Sequence, residues 1–162
     1  MIYKTLNFFE YVSRITEPDF PLPKRATAKS AGYDFVCPED VQIPAGGSAL
    51  IATGVKAHMD ELTYLALHIR SSIGIKRGLI LANCTGIIDG DYYNNPDNEG
   101  EIYAKLINLS DKPQEIAKGE KFMQGIFCPY DLTDADWDIY EYGDESCSYF
   151  KERTGGIGST DA

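Results

Sequence analysis

Two aspartates separated by one glycine, Asp89 and Asp91, are the first candidates for chemistry in this chain. They follow the apolar residues Ile87 and Ile88 and precede the aromatic residue Tyr92. If the segment is extended, side chains two positions apart point to the same face, so the two carboxylates would lie side by side. Such a pair could hold a metal ion, or one carboxylate could act as a general base for a water molecule. The alternative is an aspartate-rich turn whose side chains bond to their own backbone.

A second candidate is the run Arg70, Ser71 and Ser72, which follows an apolar segment. A guanidinium and two hydroxyls at the junction of a strand and a turn are suited to phosphate oxygens, although such a run also occurs on ordinary surfaces. Gln124 interrupts an otherwise apolar segment that begins after the turn signal at residues 118–120. Because a buried amide needs hydrogen-bond partners, Gln124 is a further candidate for ligand contact.

Residues 153–160 combine one arginine with three glycines and several hydroxyl side chains. Glycine lets successive backbone N–H groups converge on an anion, and arginine adds a permanently charged planar fork. This composition predicts an arm that becomes ordered over a phosphorylated ligand. The alternative is a flexible, solvated tail.

Composition restricts the class of protein. The 162 residues suit one domain, and a hydrophobic content of 43% is too high for compositional disorder. We find no apolar run of transmembrane length and no secretory signal pattern, and the net charge of −10 disfavours nucleic acids and membrane surfaces as partners. A local cluster of Arg and Lys could still hold a small anion, since exposed charges more than roughly 8 Å apart are screened. The four widely spaced cysteines are interpreted as free thiols in a reducing, cytoplasmic compartment.

Short β-type segments dominate the chain and alternate with turn signals about every ten residues, which is typical of a β-sandwich, jelly roll or barrel. Strands are predicted at residues 33–37, 41–43, 48–55, 64–69, 101–109 and 121–127. Residues 71–77 are predicted to form one or two helical turns, and the acidic segment 131–145 a solvated strand or loop. We expect one all-β domain over residues 1–150, followed by a glycine-rich arm over residues 151–162.

Together these segments resemble the trimeric deoxyuridine triphosphatase (dUTP diphosphatase) family, whose five motifs occur in order over nearly the whole chain. The motifs correspond to Ala31-Gly32-Tyr33-Asp34, Arg70-Ser71-Ser72-Ile73-Gly74, Gly86-Ile87-Ile88-Asp89-Gly90-Asp91-Tyr92, Lys118-Gly119-Glu120-Lys121-Phe122-Met123-Gln124 and the arm itself. The resemblance implies a jelly-roll-like β-barrel that assembles as a homotrimer, with each active site drawing on more than one subunit.

The resemblance also implies a reaction and a set of roles. Water would attack the α-phosphorus of dUTP, with Mg²⁺ bridging the phosphates, and the products would be dUMP and pyrophosphate. Asp89 would activate the water, and Asp34 could meet the metal through its bound water. The phosphates would contact Arg70, Ser71, Ser72, Gln124, Arg153, Gly156, Ser159 and Thr160, while uracil and deoxyribose would contact Asn83, Gly86, Ile88, Tyr92 and Ile157.

Two positions and one segment depart from the family pattern. Ile69 stands where proline usually precedes the arginine, and Ile157 stands where an aromatic residue commonly stacks on uracil. The segment after Tyr92 is longer than usual by residues 94–99, which we interpret as an enlarged turn and a candidate flap near the site.

Two other functions remain open at this point. A deoxycytidine triphosphate deaminase shares the fold and an Arg-Ser-Ser segment, but it would release ammonia from dCTP. A non-catalytic nucleotide-sensing or protein-binding module would bind nucleotide without turnover.

Overall fold

The computed structural model describes residues 6–137, and within this range short antiparallel strands account for most of the regular structure. The strands are Phe8–Tyr11 (β1), Lys24–Arg25 (β2), Tyr33–Val36 (β3), Val41–Ile43 (β4), Ser48–Ala52 (β5), Val55–His58 (β6), Thr63–Ile69 (β7), Leu79–Leu81 (β8), Gly86–Ile88 (β9), Tyr103–Asn108 (β10), Gln114–Ile116 (β11) and Lys121–Pro129 (β12). One helix, Ser71–Arg77 (α1), follows β7, and a 3₁₀ turn, Gly90–Tyr92, follows β9. The predicted all-β class is confirmed.

Two sheets carry most of the fold. The larger has the strand order β2-β3-β12-β7-β9 and the smaller β5-β10-β8, with β1–β6 and β4–β11 as separate pairs. Both sheets contribute to one hydrophobic core, whose members include Phe35, Leu65, Leu67 and Met123 from the larger sheet and Ile51, Leu79, Ala104 and Leu106 from the smaller. This arrangement is jelly-roll-like, as predicted. Over residues 6–137 no strand pairing joins the sheet edges, so the expected barrel is not closed.

The strand predicted over residues 48–55 is interrupted. Gly54 adopts a positive φ of 72°, and its N–H donates to the buried Glu101 carboxylate at 2.8 Å. The side chain of Glu101 therefore competes with continued strand pairing, and the chain forms β5 and β6 instead of one strand.

Helix α1 forms at the predicted residues 71–77, and it is held by the core and by contacts at its C-terminal end. Ile73 is buried in the core, and the helix ends at Gly78 in the left-handed conformation, with the Gly78 N–H bonded to the Gly74 carbonyl at 3.0 Å. Arg77 in the last turn forms an ion pair with Glu120, the residue before β12. The helix is thus tied to the turn that leads into β12.

The segment predicted as a solvated strand or loop begins differently. Residues 134–137 are helical, with the Trp137 N–H bonded to the Thr133 carbonyl at 2.9 Å. Residues 138–145 and the arm at 151–162 lie outside the described residues. None of the helices within residues 6–137 is both long and apolar enough to cross a membrane.

Candidate active site

A cluster of opposite charges lies where β3, β7 and β12 run side by side. The buried Asp34 carboxylate in β3 forms ion pairs with Arg70 Nε at 3.2 Å and with Lys121 Nζ at 3.0 Å. The Asp34 side chain is 7% exposed, whereas those of Arg70 and Lys121 are 33% and 48% exposed. Two cations therefore surround one carboxylate, which leaves one net positive charge directed at solvent. Such a cluster can hold an anion even on an acidic protein.

Arg70 is held by its backbone as well as its side chain. It follows the last residue of β7, its N–H donates to the Phe122 carbonyl at 3.0 Å, and its Nη1 lies 3.5 Å from the Lys121 carbonyl. Ser71 and Ser72 come next, in the first turn of α1, and both are exposed. The sequence at this junction therefore presents a guanidinium and two hydroxyls from the same short stretch, as predicted.

Gln124 lies in the same cluster because of strand register. In the five-stranded sheet it faces Asp34 of β3 on one side and His68 of β7 on the other, and Lys24 of β2 faces Asp34 in turn. Residues that face each other across antiparallel strands share a face of the sheet. The four residues therefore form one polar row, while the neighbouring row contains the buried Phe35 and Met123.

Gly32 shapes the space in which the Gln124 amide lies. A Cβ at position 32 would come within 2.5 Å of Gln124 Oε1 and 3.2 Å of Gln124 Cβ. Only glycine leaves room for the observed side chain of Gln124.

Lys121 and His68 were not among the site residues expected from sequence. His68 interrupts an apolar strand just as Gln124 does, so the same signal was available. Lys121 follows the turn into β12, where a solvated lysine is ordinary, and its ion pair with Asp34 depends on the pairing of strands far apart in sequence.

The second group of predicted residues lies along the chain from β8 to β9, two strands that belong to different sheets, since β8 pairs with β10 and β9 with β7. Asn83 is exposed in the connecting turn, next to Cys84 with a positive φ of 60°. Gly86 is buried against Leu67, and a Cβ at position 86 would lie only 3.1 Å from the Leu67 Cβ. Ile88 ends β9 and is half-buried.

Asp89 is exposed and extended, with φ −81° and ψ 158°. Asp91 and Tyr92, in contrast, belong to the 3₁₀ turn Gly90–Tyr92. The extended arrangement that would align the Asp89 and Asp91 carboxylates is therefore not formed. Tyr92 is buried, and its hydroxyl donates to the Glu101 carbonyl at 2.8 Å.

Within one chain, Asp89 lies far from the charged cluster. Ile88 faces Leu65 of β7, whereas Gln124 faces His68 further along the same strand. Along the strand direction, Asp89 is therefore displaced from Gln124 by four residues, about 13 Å. Across the sheet, β9 and β12 are separated by two strand spacings, about 10 Å. The structure brings together Asp34, Arg70, Ser71, Ser72 and Gln124, but it does not bring Asp89 to them.

The described residues do not provide a set of side chains that would surround a metal ion by themselves, so a metal ion here would need further ligands such as water or substrate. No group of three or more His, Cys, Asp or Glu side chains suited to a metal occurs in residues 6–137. Asp34 Oδ2 is buried and lies 3.0 Å from Lys121 Nζ, yet no donor meets it with hydrogen-bond geometry. The contact with Lys121 is thus a charge contact, and the oxygen can still accept a hydrogen bond from a metal-bound water. This donor set fits Mg²⁺, which usually keeps several waters and binds through substrate phosphates.

The fold is that of a jelly-roll-like β protein, and the cluster has the charge that suits an anion. The dUTPase family model matches residues 18–158. The deoxyuridine 5'-triphosphate nucleotidohydrolase of Lactococcus lactis subsp. lactis (strain IL1403) is 44% identical over 154 residues, which cover 95% of this chain and 97% of the relative. The crystal structure of the dUTPase from Streptococcus mutans has a TM-score of 0.72 and 47% identity, over 78% of this chain and 98% of that one. The chain belongs to the dUTPase family.

Proposed function

We propose that this protein hydrolyses dUTP to dUMP and pyrophosphate. The observation that carries the proposal is the positively charged cluster of Arg70 and Lys121 around the buried Asp34, beside Gln124, in a chain of the dUTPase family. The curated relatives that match most of this chain are named as enzymes that act on deoxyuridine 5'-triphosphate.

We propose further that each active site combines residues of different subunits in a homotrimer. The separation of Asp89 from Arg70 and Gln124 within one chain supports this, since a water held by Asp89 could not reach a phosphate held by the same chain's cluster. A neighbouring copy that contributes Asp89 would close the gap. In this arrangement one chain supplies the phosphate-binding cluster and another supplies β9 and the 3₁₀ turn after it, with Asp89 and Tyr92.

The phosphate-binding cluster acts by positioning and by charge. Arg70 donates planar N–H groups to phosphate oxygens, and the exposed hydroxyls of Ser71 and Ser72 donate from the start of α1. The Gln124 amide, fixed against Gly32, donates to an oxygen of the α-phosphate, where negative charge develops during the reaction. Asp34 keeps Arg70 in orientation through its ion pair, and its second oxygen would accept a hydrogen bond from a water of the Mg²⁺ ion when that ion is bound.

Asp89 is the general base of the proposed reaction. Its carboxylate accepts a proton from water as the water oxygen forms a bond to the α-phosphorus, and the bond from that phosphorus to the bridging oxygen breaks. The electron pair of that bond leaves with pyrophosphate. When Mg²⁺ is bound, it neutralises charge on the three phosphates. General-base catalysis of this kind is typically worth about 10²–10⁴-fold.

The connection from β8 to β9 binds the nucleoside. Asn83 and backbone groups near Gly86 and Ile88 bind the hydrogen-bonding edge of uracil, and cytosine is rejected because its donors would be left unpaired. The Tyr92 ring packs under the deoxyribose and leaves no room for a 2′-hydroxyl.

The glycine-rich arm closes the site in this proposal. Arg153, Gly156, Ser159 and Thr160 contact the phosphates, and Ile157 covers the base by apolar contact. All of these residues lie outside the described range, so their roles rest on the sequence resemblance. Closure would exclude water other than the nucleophile.

The experiment that tests the proposal is a panel of nucleotides, with and without Mg²⁺, scored for pyrophosphate and for ammonia. We expect pyrophosphate from dUTP in the presence of Mg²⁺ and little from dCTP, dTTP or UTP. Ammonia from dCTP would instead identify a deaminase, and binding of dUTP without any product would identify a non-catalytic module.

Asp89→Asn tests the role of the base within the same assay. We expect the variant to bind a non-hydrolysable dUTP analogue as the parent does, while turnover falls by about 10²–10⁴-fold. Full activity of this variant would remove Asp89 from the mechanism.

A further inference from the structure

The hydroxyl of Tyr92 is held from two sides. Asn98 Nδ2 donates to the Tyr92 oxygen at 2.8 Å, and the same oxygen donates to the Glu101 carbonyl at 2.8 Å. The side chain of Asn98 comes from residues 94–99, the segment interpreted from sequence as an enlarged turn after the motif that ends at Tyr92. With one donor and one acceptor in place, the hydroxyl is oriented and the ring cannot pivot without breaking a hydrogen bond.

The Asn98 amide is itself oriented by its neighbours. Its Oδ1 accepts from Asn95 Nδ2 at 2.7 Å and from the Gly100 N–H at 3.1 Å, which directs Nδ2 to Tyr92. Asn95 is buried, and its Nδ2 also donates to the Tyr92 carbonyl at 2.9 Å. The segment therefore holds both the backbone and the side chain of Tyr92.

The outer side of the segment is anchored to strand β6 and to the chain that follows β1. The Glu99 carboxylate accepts from both the Ser13 N–H, at 3.1 Å, and the Ser13 hydroxyl. Lys56 Nζ in β6 donates to Asn94 Oδ1 at 2.6 Å. These contacts join positions 38 or more residues apart in sequence, so the segment is fastened to a part of the fold other than β9, the strand that precedes Tyr92.

The ends of the segment adopt an uncommon backbone conformation. Asn94 and Glu99 have positive φ values of 59° and 61°, which asparagine tolerates but glutamate seldom adopts. Two hydrogen bonds hold this conformation, from the Asn94 N–H to the Glu99 carbonyl and from the Glu99 N–H to the Asn95 carbonyl, each at 3.0 Å. An unconstrained turn would relax out of it, so the network determines the shape of the segment.

We propose that residues 94–99 are a brace that fixes the Tyr92 ring and so sharpens the selection of deoxyribose over ribose. The inference rests on the proposed function, in which the ring packs under the sugar. The Tyr92 ring can exclude a 2′-hydroxyl only if it stays in place. If the ring moves aside, the larger sugar fits. Asn98 is a positioning residue in this account, since it acts through Tyr92.

Two variants test the brace by the ratio of kcat/KM for dUTP to that for UTP. Asn98→Ala removes the donor to Tyr92, and Tyr92→Phe removes the hydroxyl while keeping the ring. We expect each variant to lower the ratio by about tenfold, which is the usual effect of losing one polar or steric contact. Most of the change should come from a higher kcat/KM for UTP. Combined in one chain, they should lower it by less than the product of the two single effects, because the hydrogen bond from Asn98 to Tyr92 is lost in both.

Asp97→Ala is the matched control in the same segment. Asp97 is exposed, and its backbone N–H, which donates to Asn95 Oδ1 at 3.1 Å, is kept in the variant. We expect parental activity and an unchanged ratio. If Asn98→Ala prevents folding, Tyr92→Phe carries the test, since it deletes one oxygen atom.

The outcomes separate the brace from the reaction. An active parent whose Asn98→Ala and Tyr92→Phe variants keep the parental ratio would overturn the brace and leave the proposed function intact. A ratio lowered equally by Asp97→Ala would overturn the specific role of Asn98. A parent that releases no pyrophosphate from dUTP would overturn the proposed function, and the brace with it.

Discussion

Within residues 6–137, the two regions that carry predicted site residues are built in opposite ways. Around Asp34 the groups are charged, and the side chains of Arg70 and Lys121 keep a third to a half of their surface exposed. Around Tyr92 the groups are mostly neutral and the ring is buried. Exposed cationic side chains can adjust to a flexible triphosphate, whereas a fixed ring can discriminate between sugars of different size. In the proposed reaction the first region would therefore supply charge, and the second a rigid wall.

The largest effect is expected from mixing inactive subunits, which tests whether the two regions act in different chains. Asp89→Asn and Arg70→Ala should each be nearly inactive alone. When the two are refolded together, about one site in four should combine an intact Asp89 with an intact Arg70 if the symmetric oligomer assembles at random. Pyrophosphate release from dUTP by the mixture measures the recovery.

The control for that mixture is Arg70→Ala refolded with Gln124→Ala. Both residues belong to the cluster of one chain, so every site would lack one of them and little activity should return. Equal recovery in the two mixtures, or none in either, would contradict a site divided between the regions.

A smaller effect is expected from Gly32→Ala, which disturbs the charged region without touching a charge. The new methyl group would displace the Gln124 amide, and a misplacement of about 1 Å can cost about 10²-fold in rate. The thermal midpoint should change little, because the end of a flexible side chain can move aside. Steady-state kinetics with dUTP measure the loss.

The double variant distinguishes positioning from general damage. In a Gln124→Ala background, Gly32→Ala should cost almost nothing, since the amide that it displaces is already gone. The same loss in both backgrounds would mean that Gly32 acts elsewhere.

Gly100→Ala should damage the Tyr92 region by destabilising it. Gly100 has a φ of 80°, and a Cβ there would lie 2.4 Å from the Tyr92 carbonyl oxygen, which belongs to the backbone and cannot rotate away. We expect a loss of about 1–3 kcal/mol, measured by urea denaturation. Gly119→Ala is the matched control, since Gly119 has a φ of 77° with nothing within 4 Å of the added Cβ. If both variants lose the same stability, the close contact with Tyr92 has no effect of its own.

The smallest effect concerns the outer anchor of the brace and depends on pH. Hydrogen bonds from Ser13 lower the pKa of the Glu99 carboxyl from its ordinary value of 4.5. A lowered native pKa means that this contribution to stability is present above pH 4.5 and is lost as the pH falls through the native value. The thermal midpoint of Ser13→Ala should therefore lie slightly below that of the parent at pH 7, and the difference should shrink in acid.

Ser48→Ala, at an exposed strand position, is the comparison for the pH series. Its difference from the parent should not follow the titration of Glu99. A Ser13→Ala difference that is constant between pH 7 and pH 3 would show that the Glu99 contact does not contribute.

Much of the charged region was predictable from sequence. Arg70, Ser71 and Ser72 are consecutive, so one strand end presents them together, and a lone glutamine in an apolar strand identified Gln124. The helix at residues 71–77 was also predicted. These features depend on neighbours within one strand or one turn.

The sequence by itself determined which residues are present for chemistry, the all-β class and the order of the motifs, because local spacing and residue type are enough for these. Only the tertiary structure decided that Lys121 meets Asp34, that Glu101 interrupts the strand at Gly54 and that Glu99 reaches Ser13. It also decided that Asp89 lies away from Arg70 in one chain. Each of these depends on the pairing of strands distant in sequence, and strand register moves side chains by whole residues without leaving a local signal.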